Sequence, residues 1–149
     1  MEKSYYKSPI GILEITCKIN ELVSLKIVKT TTNNGIDTAF IEEIKLQLDE
    51  YFSGKRQNFD IKINPEGTEF QKLVWKELQN IPYGKTKSYS KITITLGKLN
   101  AQRAVGSACN KNPIMLIIPC HRVISKTGNL GGFAYGNTVK QKLLEIEAT

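Results

Sequence analysis

The 149-residue sequence contains one histidine and only three cysteines. Cys17, Cys109 and Cys120 are odd in number and widely spaced, so we expect no disulfide framework. A single histidine also leaves the usual Cys/His zinc spacings unfilled, and we expect neither a metal nor a cofactor. Reduced thiols are typical of the cytoplasm, which is where we expect the protein to act.

Long apolar runs are absent too. No segment approaches the ~20 apolar residues that cross a bilayer. The first 13 residues lack the basic and then apolar pattern of a secretory signal. Apolar residues make up 40% of the chain and charged residues 23%, which argues against disorder. We therefore expect a folded protein that neither spans a membrane nor is secreted.

Acidic residues are missing from most of the second half. None occurs between Glu77 and Glu145, and residues 67–149 carry twelve basic and four acidic residues, a net charge of +8. Residues 1–66 carry nine and ten, a net charge of −1. A solvated basic face would explain this asymmetry, but a surface that binds a polyanion explains it better, because phosphate contacts supply most nucleic-acid affinity.

Residues 1–66 have the pattern of a small α/β domain. Alternating apolar residues predict strands at Tyr5–Ile19, Glu21–Val28 and Gln57–Ile63. Helical spacing over Thr38–Phe52 predicts a helix between the last two. Cys17 fits a buried structural thiol within the first strand. Residues 1–66 therefore offer few candidates for a catalytic or binding role.

Two short helices are predicted beyond a break at residues 64–67. Thr68 and Gln71 fit a capping box at the start of a preceding helix. The helices Ser88–Leu96 and Ala101–Asn110 follow, joined by a Gly-containing turn with the spacing of a helix-turn-helix.

The second of these helices carries mostly small or short side chains. Arg103 is its one long cation, whereas a helix that reads the major groove normally carries several long polar side chains. Such a helix could approach a duplex closely and push Arg103 into the space left by a displaced base; alternatively, its small residues pack against other helices. Cys109 fits the core. The short residues are Gln102, Ala104, Gly106, Ser107 and Ala108.

The candidate catalytic residues lie around Cys120. Met115–Ile118 predicts a buried strand, which Pro119 ends in a turn that presents Cys120 beside His121. Adjacent residues of an extended chain point apart, so a bridging water is easier to build than a direct hydrogen bond. His121 and Arg122 would favour the thiolate. The alternative is a structural cysteine beside a surface histidine.

The segment Pro119-Cys120-His121-Arg122-Val123 resembles the active-site motif of the O6-alkylguanine-DNA alkyltransferases. The resemblance covers residues 67–147 and is only architectural over residues 1–66. Further motifs in the family's order and spacing are Gly67-Thr68-Glu69-Phe70-Gln71, Val74-Trp75, Ile81-Pro82-Tyr83-Gly84, Ser88-Tyr89, Arg103-Ala104-Val105-Gly106, Asn112-Pro113, Gly128, Gly131 and Lys140 with Leu143-Leu144-Glu145-Ile146-Glu147.

The resemblance implies an α+β protein: an N-terminal α/β structural domain with a short antiparallel sheet (1–66) and a mainly helical C-terminal domain with a helix-turn-helix (67–149) that binds DNA and performs catalysis. It implies a monomer that acts on double-stranded DNA containing O6-alkylguanine. The reaction is an irreversible, single-turnover transfer of the alkyl group from O6 of guanine, and from O4 of thymine, to Cys120.

The family also implies a role for each matching residue. Cys120 is the alkyl acceptor, His121 takes its proton through a water, and Glu147 orients His121. Tyr89 helps to turn the nucleotide out and donates to the base, while Arg103 fills the vacated stack. The other DNA-binding residues would be Ser88, Gln102, Ala104, Gly106 and Arg122.

A pocket for the extruded base is implied around Val123, Phe133, Ala134 and Lys140, with Gly128–Gly136 as one wall. Asn112 would brace the turn that leads to the active site. Phe133 stands where many members of the family have tyrosine, so the pocket is more apolar here. The zinc ligands of some relatives have no counterpart.

Two other classes share parts of this pattern. A helix-turn-helix regulator would bind DNA without needing Cys120. A cysteine hydrolase would use Cys120 and His121 but would leave the basic half unexplained. Transfer of label from alkylated DNA to the protein separates the first class from an alkyltransferase, and turnover of an ester or peptide would indicate the second.

Overall fold

The structure is a computed structural model that describes residues 1–31, 35, 37–128 and 133–148. The chain divides into two compact units, Met1–Glu66 and Gly67–Thr149. Within the described residues, no helix combines the length and the apolar character that crossing a membrane requires.

The first unit contains a three-stranded antiparallel sheet in the order β1-β2-β3. Its strands are β1 (Glu2–Ser8), β2 (Gly11–Lys18) and β3 (Glu21–Val28). The single strand predicted over Tyr5–Ile19 is therefore wrong: Pro9 and Ile10 form a tight turn there, and Gly11 has a φ of 123°. Cys17 is fully buried in β2, as expected of a structural thiol.

One helix follows the sheet, α1 (Ala39–Phe52), close to the predicted bounds. Thr38 caps it by accepting a hydrogen bond from the amide of Ile41. The strand predicted over Gln57–Ile63 is wrong, since only a single bridge to β3 forms, at Ile63. The Gln47 side chain instead donates to the carbonyl of Asp60 and accepts from its amide, which takes the place of a strand partner.

The second unit is mainly helical, which confirms the predicted α+β class. Its elements are α2 (Glu69–Leu78), β4 (Lys87–Ser88), α3 (Tyr89–Leu96), α4 (Gln102–Asn110), a 3₁₀ turn (Cys120–Arg122), β5 (Val123–Ile124) and α5 (Asn137–Glu147). The capping box of Thr68 and Gln71 is present. The helix pair α3 and α4 is as predicted, with Gly97 ending α3 at a φ of 68°.

Trp75 fixes α4 against α2. Its indole Nε1 donates to the carbonyl of Ala108 at 2.8 Å, and the ring is almost fully buried. The ring also lies so close to Gly67 that a Cβ there would meet it at 2.5 Å, so only glycine fits. Cys109, one residue after Ala108, is buried as expected.

The segment before the thiol is a buried turn, and the strand predicted over Met115–Ile118 is wrong. The amide of Ile118 donates to the carbonyl of Ile114, and Leu116 has a left-handed φ of 72°. Asn112 bridges the turn: its side chain accepts from the amide of Ile114 at 2.9 Å and donates to the carbonyl of Ile118 at 2.7 Å. An apolar run predicts that a segment is buried, and this segment is. It does not predict the backbone conformation.

Candidate active site

Cys120 opens the 3₁₀ turn and is held between two braced segments. Asn112 fixes the chain that leads into the turn. On leaving the turn, β5 pairs in parallel with β4, and Val123 lies opposite Lys87. Because α3 begins directly after β4, Tyr89 is held close to the thiol.

The thiol of Cys120 is buried, with 4% of the residue exposed. This burial raises its pKa, and a hydrogen bond from Asn112 and the positive charge of Lys140 act in the opposite direction without cancelling it. We expected His121 and Arg122 to favour the thiolate, but burial outweighs the groups that do so, and the positive charge among those groups belongs to Lys140. The resting acceptor is a protonated thiol that requires a base.

His121 lies beside the thiol in sequence and is itself fully buried. Its Nε2 is 2.7 Å from Oε2 of Glu147. Burial lowers the pKa of His121, opposed by the hydrogen bond and charge of Glu147, while the charges of Arg122 and Lys140 lower it further. The imidazole is thus neutral at neutral pH. With Nε2–H donating to the carboxylate, Nδ1 is the nitrogen that can accept a proton.

Arg122 completes this cluster and corrects one sequence prediction. It was expected on the DNA-binding surface, but the residue is only 6% exposed. Its Nε and Nη2 donate to the two oxygens of Glu147 at 2.8 and 3.0 Å, and Nη1 donates to the carbonyl of Ile81 at 2.7 Å. Arg122 therefore holds Glu147 rather than a phosphate.

Lys140 lies in α5 with its side chain fully buried. Its Nζ donates to the carbonyl of Val123 at 2.6 Å and lies 5.8 Å from the centre of the Phe133 ring. Burial lowers the pKa of Lys140, and the cysteines Cys120 and Cys109 raise it in part. Three of the residues predicted to line the base pocket thus lie together.

The remaining pocket residues are only partly described. Ala134 is exposed. The predicted wall Gly128–Gly136 includes residues 129–132, which lie outside the described residues, as does Gly131. Gly128 and Gly136 at its ends have left-handed φ values of 87° and 91°.

The surface predicted to face DNA is a groove along α4. A cavity of about 290 Å³ is lined by Tyr89, Gln102, Arg103, Gly106 and Asn110. Arg103 and its neighbours Gln102 and Ala104 are exposed. A Cβ on Gly106 would lie 3.9 Å from the Tyr89 ring, so helix and ring are close.

Tyr89 lies between this groove and the thiol. Burial raises its pKa to about 12, and the nearby Cys109 and Cys120 add to the shift, so the phenol stays protonated as a hydrogen-bond donor. Ser88, predicted to bind DNA, uses its side chain to accept from the amide of Lys91 and caps α3. Its hydroxyl therefore also sets the start of the helix that carries Tyr89.

Sequence reasoning missed the contributions of Ile81 and Tyr83 to this site. The carbonyl of Ile81 receives Arg122, and the Tyr83 ring centre lies 5.8 Å from the Arg122 guanidinium carbon. A buried arginine so close in sequence to the nucleophile needs acceptors, but nothing in the local pattern shows that a turn some 40 residues earlier supplies one.

Both halves of the chain match family models. Residues 1–65 match the ribonuclease-like domain of 6-O-methylguanine DNA methyltransferase, and residues 69–149 match the DNA-binding domain of the same protein. A methylated-DNA–protein-cysteine methyltransferase of Methanosarcina barkeri is 46% identical over 95% of this chain and 93% of its own length.

Solved structures show the same likeness. The chain matches OGT of Mycobacterium tuberculosis in complex with DNA with a TM-score of 0.92 and 39% identity, covering 99% of this chain and 93% of the other. An O6-methylguanine DNA methyltransferase of Methanococcus jannaschii gives a TM-score of 0.68 and 32% identity, covering 97% and 92% of the two chains.

Proposed function

Because the chain belongs to the 6-O-methylguanine DNA methyltransferase family, we propose that it repairs DNA by transferring the alkyl group from O6 of guanine to its own Cys120. The observation that carries this proposal is a buried, protonated thiol, braced by Asn112, beside a neutral imidazole that is itself bound by a buried carboxylate.

Access to the lesion requires extrusion of the base. O6 of a stacked guanine is out of reach of a buried thiol, so the nucleotide must leave the duplex. The exposed Arg103 on α4 is suited to fill the vacated stack, and Tyr89 beside it to guide the nucleotide. Lysines of the basic unit bind phosphates without reading sequence. A lesion that pairs poorly costs less free energy to extrude, and this difference makes the protein selective for damaged bases.

The transfer itself begins with loss of the Cys120 proton. Nδ1 of His121 accepts it through one bridging water, and Glu147 stabilises the imidazolium that forms. The thiolate attacks the alkyl carbon in line, forming the S–C bond as the C–O6 bond breaks. Lys140 places a positive charge near the thiolate.

The leaving guanine takes the electrons of the broken bond. The Tyr89 phenol is the donor that stabilises or protonates it, and an amide near Ala134 is the alternative. The carbonyls of Cys120 and Val123 are suited to receive the exocyclic amine of the base. The same chemistry extends to O4 of thymine, which carries an alkyl group in an equivalent position.

The product is a thioether, and this makes each molecule act once. An acyl-enzyme is released when water attacks its carbonyl. An S-alkyl group has no carbonyl, and the thiolate is a poor leaving group. Cys17 lies in a strand of the first unit. Cys109, in α4, lies close enough to Cys120 for their charges to interact, but attack by its thiol would meet the same poor leaving group. We propose that the protein acts as a monomer in the cytoplasm, where thiols stay reduced beside DNA.

The decisive experiment follows the label from DNA to protein. Duplex DNA carrying one O6-methylguanine is incubated with the wild type and with Cys120→Ser, Cys17→Ser and Cys109→Ser. Intact-mass spectrometry should show one methyl group per wild-type molecule, none in Cys120→Ser and one in each of the other two. Cys120→Ser should still bind DNA. Methylation of Cys120→Ser would refute the acceptor, and more than one equivalent per molecule would refute single use.

A further inference from the structure

The turn that follows α2 contacts the end of α5 and Arg122 at several points. In this 81–84 turn, the amide of Lys85 donates to the carbonyl of Pro82, and Gly84 has a left-handed φ of 78°. The turn contributes no nucleophile or base, and neither the transfer chemistry nor base extrusion explains it.

Three close approaches join the 81–84 turn to Arg122 and to the end of α5, which together hold the Glu147 carboxylate. The Ile81 carbonyl receives Nη1 of Arg122, whose other nitrogens bind Glu147. The Tyr83 hydroxyl donates to the carbonyl of Ile146, the residue before Glu147, at 3.2 Å. A Cβ on Gly84 would lie 3.0 Å from the backbone oxygen of Glu147.

Tyr83 contacts both supports of the carboxylate. Its hydroxyl holds the last turn of α5, and its ring faces the Arg122 guanidinium at 5.8 Å. The negative charge of Glu147 and the positive charge of Arg122 both act on its phenol, which shows how close all three groups lie.

We propose that Tyr83 is a positioning residue for the transfer reaction: its hydroxyl fixes the end of α5 and its ring fixes Arg122, so that Oε2 of Glu147 stays on Nε2 of His121. This inference rests on the proposed function for its kinetic consequence. Small displacements of such a group slow a reaction strongly, because proton transfer needs the base in one orientation.

Two variants separate the contributions of Tyr83. Tyr83→Phe removes the hydroxyl and keeps the ring, whereas Tyr83→Leu removes both. Tyr5→Phe is the matched control, since the Tyr5 hydroxyl also donates one hydrogen bond of 3.2 Å, but to the Glu14 side chain in the first unit. Each protein is mixed with saturating methylated duplex, and the single-turnover rate constant and the Kd for DNA are measured separately.

We expect Tyr83→Phe to slow transfer about 2- to 10-fold, the effect of one lost hydrogen bond. Tyr83→Leu should slow it about 10- to 100-fold, as misplacement of a catalytic group does. The Kd for DNA should stay within about twofold, and Tyr5→Phe should match the wild type. In a His121→Ala background, Tyr83→Leu should slow transfer no further, because the two changes then act on one step.

The pKa of His121 gives a readout that needs no activity. The charged groups that act on His121 are Glu147, Arg122 and Lys140, and Glu147 is the one that raises its pKa. Loosening Glu147 should therefore lower the pKa of His121 in Tyr83→Leu. NMR can follow this directly, since the chain has one histidine.

An unchanged His121 pKa and an unchanged rate constant in the folded Tyr83 variants would overturn the positioning role, and so would an equal slowing in the His121→Ala background. A wild-type protein that transfers no methyl group would instead refute the proposed function, and the NMR shift would still decide the placement of Glu147.

Discussion

Each of the two compact units buries a glutamate, and the two are neutralised in different ways. In the first unit, Glu14 lies in β2 with its side chain 6% exposed. Its cationic partners Lys3 and Lys26 are 3.8 Å away and about half exposed, and the Tyr5 hydroxyl donates to it. The positive charges that neutralise it therefore lie at the protein surface.

In the second unit, the partners of Glu147 are buried as well. Its side chain is 1% exposed, and so is that of its partner His121, while Arg122 is 8% exposed. Its hydrogen bonds to His121 and Arg122 are charge-assisted and 2.7 to 3.0 Å long. Removing three ionisable groups from water costs folding free energy that apolar residues would not cost. A desolvation cost of this kind is typical of a functional site. The comparison therefore indicates that the second unit carries the chemistry.

The strongest test of this contrast changes both glutamates to glutamine. Glu147→Gln leaves the buried Arg122 without a counter-charge, which should cost about 3–5 kcal/mol of unfolding free energy. Transfer should slow by about 100-fold or more, because the imidazolium of His121 loses its stabilising charge. Glu14→Gln should cost about 0–1 kcal/mol, because its two lysine partners are about half exposed and 3.8 Å away, and it should leave the rate unchanged.

Urea unfolding and single-turnover kinetics measure the two effects. Equal losses of stability in the two variants would show that the buried charges of the second unit are no more important than those of the first. An unchanged transfer rate in Glu147→Gln would remove Glu147 from the mechanism.

The second comparison concerns two arginines. Arg103→Ala should slow transfer from duplex DNA about 10-fold or more, since unstacking a base costs a few kcal/mol. Transfer from free O6-benzylguanine should be unaffected. Arg56→Ala is the control, because Arg56 pairs with Glu50 in the first unit and should affect neither reaction. If Arg103→Ala slowed both reactions equally, the residue would be structural.

Alkylation itself provides a third test. Cys120 lies in a tightly braced turn and is 4% exposed, so an added methyl group must displace its neighbours. Overpacking of this kind costs about 1–3 kcal/mol. The methylated protein should melt at a lower temperature than the free protein, and a benzyl group should lower the Tm further. A Tm that stays constant or rises after reaction would show that the site has room for the group.

Local signals predicted the helices well, because their information lies in a few adjacent residues. The capping box at Thr68 and Gln71 and the pair of helices at 88–110 are examples. The resemblance likewise pointed to Cys120, His121 and Glu147, which the structure brings together.

Three of the failures depend on contacts with residues outside the predicted segment. The strand predicted at Gln57–Ile63 does not form, because the Gln47 side chain takes the backbone hydrogen bonds of Asp60 that a neighbouring strand would otherwise make. The run at Met115–Ile118 became a turn because Asn112 can satisfy both of its ends. Arg122 appeared to be a DNA-binding cation because its acceptor, the Ile81 carbonyl, lies 41 residues away. Composition shows that such a group is charged, but not whether the fold buries it.

The smallest expected effect is a pH dependence of stability that belongs to the second unit alone. The only histidine of the chain is His121, and burial lowers its pKa below the value of about 6.5 that it has when unfolded. Below pH 6.5 the unfolded chain therefore binds a proton that the folded protein does not. The stabilisation is complete above that pH and is lost as the pH falls through the lowered folded pKa, by at most about 1.4 kcal/mol per pH unit. Urea unfolding at several pH values between 5 and 7.5 should show this slope in the wild type and in Glu14→Gln. His121→Gln should have a flatter profile, and an equal slope in that variant would assign the titration to a different group.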